Sequence, residues 1–382
     1  MAIIAIYFLL VLCLLGILIT YGLYPLWQVL FQGKPLPDLE INSNTQRVTV
    51  LFAAYNEQDV IEEKIRSIYD SSYPNQLIEV WIGSDKSTDN TEDIITRLQL
   101  EFKTLHLYVS AGRSGKAAIM NILAKKAGSD IFIATDANII FNRYTIEELV
   151  KYYSIANVGA VAGNLTYENE NIGSGTSKNE YFYLNIENRI KQTESNKYGF
   201  CLGMEGGLYS IRKELWSEIP PHTFMEDFFQ TIRVFDQGYN IVFNELALGF
   251  EDVSTSLKEE FNRKIRISIG NFQNLCRFWK LAMQKPFPFG SVFLFHKILR
   301  WLTPHLFILS SLLILYTPIA LPYTLLVLVV AICQIIWVRF FPPGPFTYFC
   351  AMNLALFIGF IRFLRGVNSS VWQPTKRKQN ES

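Results

Sequence analysis

The chain has 382 residues, half of them hydrophobic, and its 35 Lys and Arg nearly balance 34 Asp and Glu, for a formal charge of +1. That balance excludes any global electrostatic case for nucleic-acid binding, and the apolar share exceeds that of ordinary soluble domains. The five cysteines, Cys13, Cys201, Cys276, Cys333 and Cys350, lack metal-ligand spacing and read as reduced thiols used as small apolar residues.

No charge occurs from Ala2 to Tyr24, and a run of about 20 apolar residues matches one bilayer crossing. No Lys or Arg precedes the run, and it is too long for a signal h-region, so residues 1–25 read as a retained anchor. Between Arg47 and Glu245, apolar runs alternate with amphipathic stretches, the pattern of a mostly parallel sheet covered by helices. Strands are expected at Val48–Ala53, Ile78–Ile82, Leu105–Val109, Ile131–Ala134 and Val158–Val161. Helices are expected at Glu57–Tyr69, Thr88–Glu101, Gly115–Lys126, Thr145–Ser154 and Glu226–Gln237. The resulting α/β domain occupies residues 45–282, and its ligands should gather at the carboxyl edge of the sheet.

Residues 285–301 mix aromatics with His296, Lys297 and Arg300 and suit a helix in the headgroup region. Residues 302–365 then break at prolines into three helices, about Thr303–Ile319, Leu321–Val338 and Phe346–Phe363, before a basic tail over 366–382. Lys34, Lys297, Arg300 and Arg339 favour a cytoplasmic catalytic domain. Three later crossings would export the tail, whose Arg362, Arg365, Lys376, Arg377 and Lys378 the positive-inside rule keeps cytoplasmic. Either one of these helices is re-entrant or the rule fails here.

Polar residues cluster where the strands end. Asn56 and Glu57 follow the first strand, as ligand contacts or as a helix start. Ser84-Asp85-Lys86-Ser87-Thr88-Asp89 follows the second; Asp85 suits hydrogen bonds to a nucleobase or ribose, and Asp89 suits capping. Gly112-Arg113-Ser114-Gly115-Lys116 sets two glycines and two cations at a helix N-terminus, suited to phosphate oxygens. Asp136 and Asn138, at the end of an apolar strand, can both approach a hard cation, with a diphosphate supplying much of the coordination. Gly206 and Gly207 allow close backbone approach to an acceptor. Glu226 and Asp227 open a helix, where an ionised carboxylate can act as general base. Arg263 and Arg266, on the amphipathic stretch Phe261–Leu281, suit a departing diphosphate or lipid headgroups.

In order along the chain these motifs resemble the membrane-bound family-2 glycosyltransferases with a GT-A fold, inverting enzymes that include the chitin, hyaluronan and poly-N-acetylglucosamine synthases. The resemblance covers Val48 to Trp279, and Trp372-Gln373-Pro374-Thr375-Lys376-Arg377 is similar to the tail of polysaccharide synthases. It implies that Asp85 contacts the uridine of a UDP-sugar and Lys116 lies near the nucleotide. It further implies that Asp136 holds Mg²⁺ or Mn²⁺, Asp227 is the catalytic base, and Arg263 to Arg266 stabilise the leaving diphosphate. The implied product is a β-linked polysaccharide, on a glycan or lipid-linked acceptor, with room for an accessory subunit. Two departures stand out: Asn138 replaces the second acid, and Gln273 is followed by Asn274-Leu275-Cys276 instead of the Gln-x-x-Arg-Trp motif of processive synthases. A single-sugar transferase and a non-catalytic nucleotide-sugar-binding subunit are the alternatives.

Overall fold

The computed structural model describes residues 1–34, 46–167, 176–251, 256–340, 344–367 and 371. The Trp372–Arg377 tail and the Phe341-Pro342-Pro343 break lie outside the described residues. Helix α1 (Ala2–Leu18) passes through a π-type turn into α2 (Tyr24–Leu30). There follow β1 (Val48–Ala54), α3 (Ile61–Tyr69), β2 (Ile78–Ser84), α4 (Thr91–Glu101), β3 (Leu105–Val109) and α5 (Lys116–Lys126). Next come β4 (Ile131–Thr135), β5 (Ile140–Phe141), α6 (Thr145–Val150), β6 (Val158–Tyr167) and α7 (Thr176–Tyr198). Then come β7 (Leu208–Arg212), α8 (Glu226–Asp236), β8 (Asn240–Glu251), α9 (Leu257–Gln284), α10 (Leu299–Ile314), α11 (Ala320–Phe340) and α12 (Pro345–Leu364). The chain packs as two units: a helical one of Met1–Phe31, Gly173–Tyr183 and Ser254–Gly366, and an α/β one of Gln32–Ile172, Leu184–Val253 and Val367–Ser382.

The α/β unit holds an eight-stranded sheet in the order β3-β2-β1-β4-β7-β6-β8-β5. The β3-β2-β1-β4 block is parallel; β7 runs antiparallel between β4 and β6, β8 is parallel to β6, and β5 closes the edge antiparallel to β8. Every residue of β1 is buried, as a strand covered on both faces requires. Its Val48, Val50 and Phe52 share one core with Ile61, Ile65 and Ile68 on the apolar stripe of α3. Registers pair Ala54 with Ser84 and Leu51 with Ala134, so β1, β2 and β4 release their polar loops at one edge of the sheet.

The five expected strands and five expected helices of this unit are present, though β6 runs on from the expected end at Val161 to Tyr167. One difference matters: α3 begins at Ile61 rather than Glu57, and Asn56 takes φ 52°. Asn56 therefore does not start that helix.

Among the described residues of the helical unit three helices are long and apolar enough to cross a membrane: Ile3–Leu30, Pro286–Ile314 and Pro345–Leu364; Ala320–Gln334 is a shorter apolar stretch. The expected interfacial helix 285–301 is continuous with the helix after it, and that helix ends at Ile314 rather than Ile319. Its polar groups find partners inside the unit: buried His296 stacks on Tyr24 with centroids 5.7 Å apart, and Arg300 Nη1 donates to Tyr183 Oη at 3.2 Å. Pro304 lies within α10, where Thr303 Oγ1 donates to the Leu299 carbonyl at 3.0 Å.

Close approach of α5 to β2 depends on Gly83, where an added Cβ would stand 2.2 Å from Ile119 Cγ2. Gly83→Ala must push α5 outward, an overpacking cost of about 1–3 kcal/mol. A lowered melting temperature is expected for it, while Gly128→Ala, with its nearest atom at 4.0 Å, should melt like the parent.

Candidate active site

At the shared edge the loops are tied to one another before any ligand is considered. Asn56 Oδ1 accepts from the Thr88 amide at 2.8 Å, and the Glu57 amide donates to Thr91 Oγ1 at 2.8 Å. Asp89 accepts from the amide and hydroxyl of Thr91, the first residue of α4, at 3.0 and 2.6 Å, a capping role. Asn56 and Glu57, expected at the nucleotide, thus latch the β1 loop to the β2 loop.

Asp85 is fully buried and accepts four hydrogen bonds from the next loop: Arg113 Nε at 3.0 Å, the Ser114 amide at 2.6 Å, Ser114 Oγ at 3.1 Å and the Gly115 amide at 3.2 Å. A carboxylate offers about four lone-pair positions, and here all are taken. In this structure the Asp85 carboxylate is engaged by the loop that follows β3. Asp85 holds the Gly112–Lys116 loop, and the Arg113 guanidinium carbon lies 3.3 Å from the Tyr55 ring centroid.

The loop delivers Lys116 to two acids from distant segments. Its Nζ stands 2.6 Å from Asp136 Oδ1 and 2.6 Å from Glu226 Oε1. Burial opposes the Lys116 charge, but the two carboxylates outweigh it and hold the pKa well above that of a free lysine. Gly206 fits beside this pair: a methyl placed on it would lie 3.4 Å from the Asp227 carboxyl carbon and 3.5 Å from Lys116 Nζ. Lys116, Asp136, Gly206, Glu226 and Asp227 thus converge at the carboxyl edge. The Cβ position of Gly207 lies 3.0 Å from Ile139 and Leu165 side chains, so a larger residue there would crowd the sheet core.

Asp227 is buried, and its pKa is pushed up to about 8 by burial, then by the charges of Glu226 and Glu205, against the pull of Lys116 and the Phe228 amide. Glu205 is itself held by fully buried Lys191, Nζ to Oε1 2.8 Å. Met225, just ahead of these acids, takes φ 56° and ψ 54°, a left-handed conformation that a non-glycine side chain adopts under constraint.

Among the described residues no group of three His, Cys, Asp or Glu side chains would hold a metal ion alone. The donors around Asp136 are nonetheless hard oxygens, which suit Mg²⁺ or Mn²⁺ when diphosphate oxygens complete the shell. Asn138 Nδ2 donates to Glu251 Oε1 at 3.3 Å, bringing to the Asp-x-Asn turn a carboxylate not foreseen from the sequence. Also unforeseen is Lys64, fully buried on α3 beneath that turn; burial pushes its pKa well below that of a free lysine, with the Asp136 charge opposing. Its signal was present, a lysine on the stripe of Ile61, Ile65 and Ile68. Arg263 and Arg266 belong to α9 of the helical unit, where Arg263 Nη1 stands 3.7 Å from Glu260 Oε2.

The loops and acids at this edge define a GT-A-like glycosyltransferase domain. The profile of glycosyl transferase family group 2 matches residues 144–358, more than half of the chain, and that of glycosyl transferase family 2 matches residues 49–215. The chain belongs to the family-2 glycosyltransferases. It is 24% identical over 266 residues to poly-β-1,6-N-acetyl-D-glucosamine synthase of Staphylococcus aureus, covering 66% of this chain and 61% of the relative. It is 24% identical over 260 residues to a probable glycosyltransferase, YdaM, of Bacillus subtilis, covering 63% and 59%. The chain thus spans about three fifths of the length of the curated relatives it matches. A mannosyltransferase of Pyrobaculum calidifontis, solved in complex with GDP-Man and Mn²⁺, has the same fold, with a TM-score of 0.73 at 22% identity over 93% of this chain and 99% of that one.

The raised Asp227 pKa has a consequence for stability. An unfolded aspartate loses its proton near pH 4, whereas the folded one keeps it to about pH 8, so protonation favours the fold. That contribution is complete below about pH 4 and is lost as pH rises through about 8. Asp227→Asn should therefore melt a few degrees above the parent at pH 8–9 and level with it near pH 4. Equal melting of the two proteins across this range would show that the carboxyl carries no such burden.

Proposed function

We propose that the protein is a metal-dependent inverting glycosyltransferase that moves a sugar from a nucleoside-diphosphate sugar to an acceptor hydroxyl, with Asp227 as general base. The observation that carries this reading is the convergence of Lys116, Asp136, Glu226 and Asp227, from three separate segments, at the carboxyl edge of one sheet. Asp227, once ionised, takes the proton of the acceptor hydroxyl. The hydroxyl oxygen attacks the anomeric carbon on the face opposite the diphosphate, so an α-linked donor gives a β-linked product.

Asp136 and Asn138, with Glu251 beside them, would hold Mg²⁺ or Mn²⁺, which supplies positive charge for the leaving diphosphate. Lys116 is near enough to Asp136 to meet the same diphosphate, and Glu226 keeps its ammonium aimed. Gly206 leaves open the space beside Asp227 that an acceptor oxygen requires.

We assign the donor to the UDP-sugars, on the likeness to poly-N-acetylglucosamine synthase, and the product to a β-linked glycan. GDP-mannose and addition of a single sugar form the second reading, favoured by the match over nearly the whole length of the mannosyltransferase. The apolar helices support a membrane protein, and the flanking Lys and Arg support a cytoplasmic catalytic unit. Neither the relatives nor the described residues point to an accessory subunit.

Detergent-solubilised protein should release UDP or GDP from one donor only when Mg²⁺ or Mn²⁺ is present, and product sizing separates a polymer from a single addition. Asp227→Asn should cut transfer by about 10²–10⁴-fold while nucleotide affinity stays level. Equal loss of transfer and nucleotide binding would remove Asp227 from the role of base. In the parent, kcat/KM should rise with pH as Asp227 ionises, and that limb should be missing from Asp227→Asn.

A further inference from the structure

Lys64 lies where the stripe of α3 calls for an apolar residue. Its neighbours on that face, Ile61, Ile65 and Ile68, are fully buried, and so is Lys64. An ammonium taken out of water is costly unless it is paired, yet the Lys64 amine hydrogen-bonds to a hydroxyl and a carbonyl rather than to a carboxylate. Its Nζ donates to Thr135 Oγ1 at 3.1 Å and to the Ile139 carbonyl, and stands 3.5 Å from the centroid of the Phe141 ring. Thr135 Oγ1 in turn donates to the Gly207 carbonyl at 2.7 Å.

Those partners have a pattern. Thr135 and Ile139 are the residues flanking Asp136-Ala137-Asn138, so one side chain grips both ends of the turn that presents the Asp and the Asn. Through Thr135 the same contact reaches Gly207, next to the Gly206 that borders Asp227. A leucine or methionine would fill the stripe without the desolvation cost, but would leave the Ile139 carbonyl and the Thr135 hydroxyl each short of a partner. The fold retains the costlier residue at the one point from which the turn is held.

We propose that Lys64 is a positioning residue for the metal–diphosphate site, fixing the Thr135–Ile139 turn so that the oxygens of Asp136 and Asn138 face one cation together. This rests on the reading of that turn as the cation-holding element. Groups that orient metal ligands from behind commonly change metal affinity by about 10- to 100-fold when removed. Lys64 acts through Thr135 and the Ile139 backbone and touches no substrate.

The test uses the full chain in detergent micelles, with Mn²⁺ binding in the presence of UDP or GDP followed by the electron paramagnetic resonance of free Mn²⁺, and melting recorded on the same samples. Lys64→Met is expected to bind Mn²⁺ about 10- to 100-fold more weakly, with excess Mn²⁺ restoring part of the lost nucleotide release. Lys64→Gln keeps an amide donor and serves if the methionine variant fails to fold; it should fall between the parent and Lys64→Met. A purely structural lysine would lower the melting temperature and leave the Mn²⁺ affinity of folded protein unchanged, and that result overturns the proposal. If the parent itself binds no Mn²⁺ with either nucleotide, the metal-dependent reading of the site fails first and the proposal falls with it. Parent binding matched by the Lys64 variants sinks the positioning role alone.

Discussion

The ammonium of Lys116 is the contact on which the rest of the candidate site depends. It stands 2.6 Å from Asp136 at the end of β4 and 2.6 Å from Glu226 at the start of α8, segments ninety residues apart in sequence. Without it, Asp136, Glu226, Asp227 and Glu205 would crowd like charges into a partly buried edge, and such groups escape by protonating or by moving apart. Lys116 is in turn placed by its loop, and the loop is docked by four hydrogen bonds to buried Asp85. The order of dependence therefore runs from a strand-end carboxylate, to a loop, to a lysine, to the acids.

Conformational cost gathers at the same edge. The non-glycine residues with positive φ among those described are Asn56, Lys86, His222 and Met225; the first two lie in the β1 and β2 loops and the last immediately precedes Glu226. Strained backbone of this kind persists only where its surroundings over-determine it, and here the β1 and β2 loops are cross-linked through Asn56 and Thr88. Asp227 is the electrostatic counterpart, a carboxyl kept protonated by burial and by its acidic neighbours. The apolar sheet core, with β1 buried along its whole length, supplies the stability against which both are set.

The α/β alternation was legible because β-branched strands and amphipathic helices differ in period, and the parallel block β3-β2-β1-β4 follows from it directly. The antiparallel β7 was not legible: Leu208–Arg212 is five residues long and follows a glycine-rich loop whose composition says nothing about strand direction. Asp136, Lys116 and Asp227 were identifiable as polar residues at strand ends and helix starts, and they do converge. Asp85 and Asn56 were identified by the same logic, yet their oxygens are satisfied by neighbouring loops, because a strand-end polar group can meet either a ligand or the next loop. Lys64 and Lys191 are fully buried, and a lysine in a helix reads by default as solvated surface.

Three lysines divide the electrostatic work by the number of carboxylates each contacts. Lys191 faces one, Glu205, and makes a closed pair whose residual field still reaches Asp227. Lys116 faces two, so it carries an excess of negative charge that an incoming cation can share. Lys64 contacts none: burial disfavours its charged form, and it acts on the Asp136 turn through its hydrogen bonds to Thr135 and the Ile139 carbonyl. On the proposed reading, Asp136 would hold a divalent cation that supplies positive charge for the diphosphate, and Lys116 would meet the same diphosphate from its place between Asp136 and Glu226. A cation held there would add positive charge near Asp227, in the direction that favours its ionised form. Holding the donor and ionising the base would then draw on the same small set of charges at the carboxyl edge of the sheet.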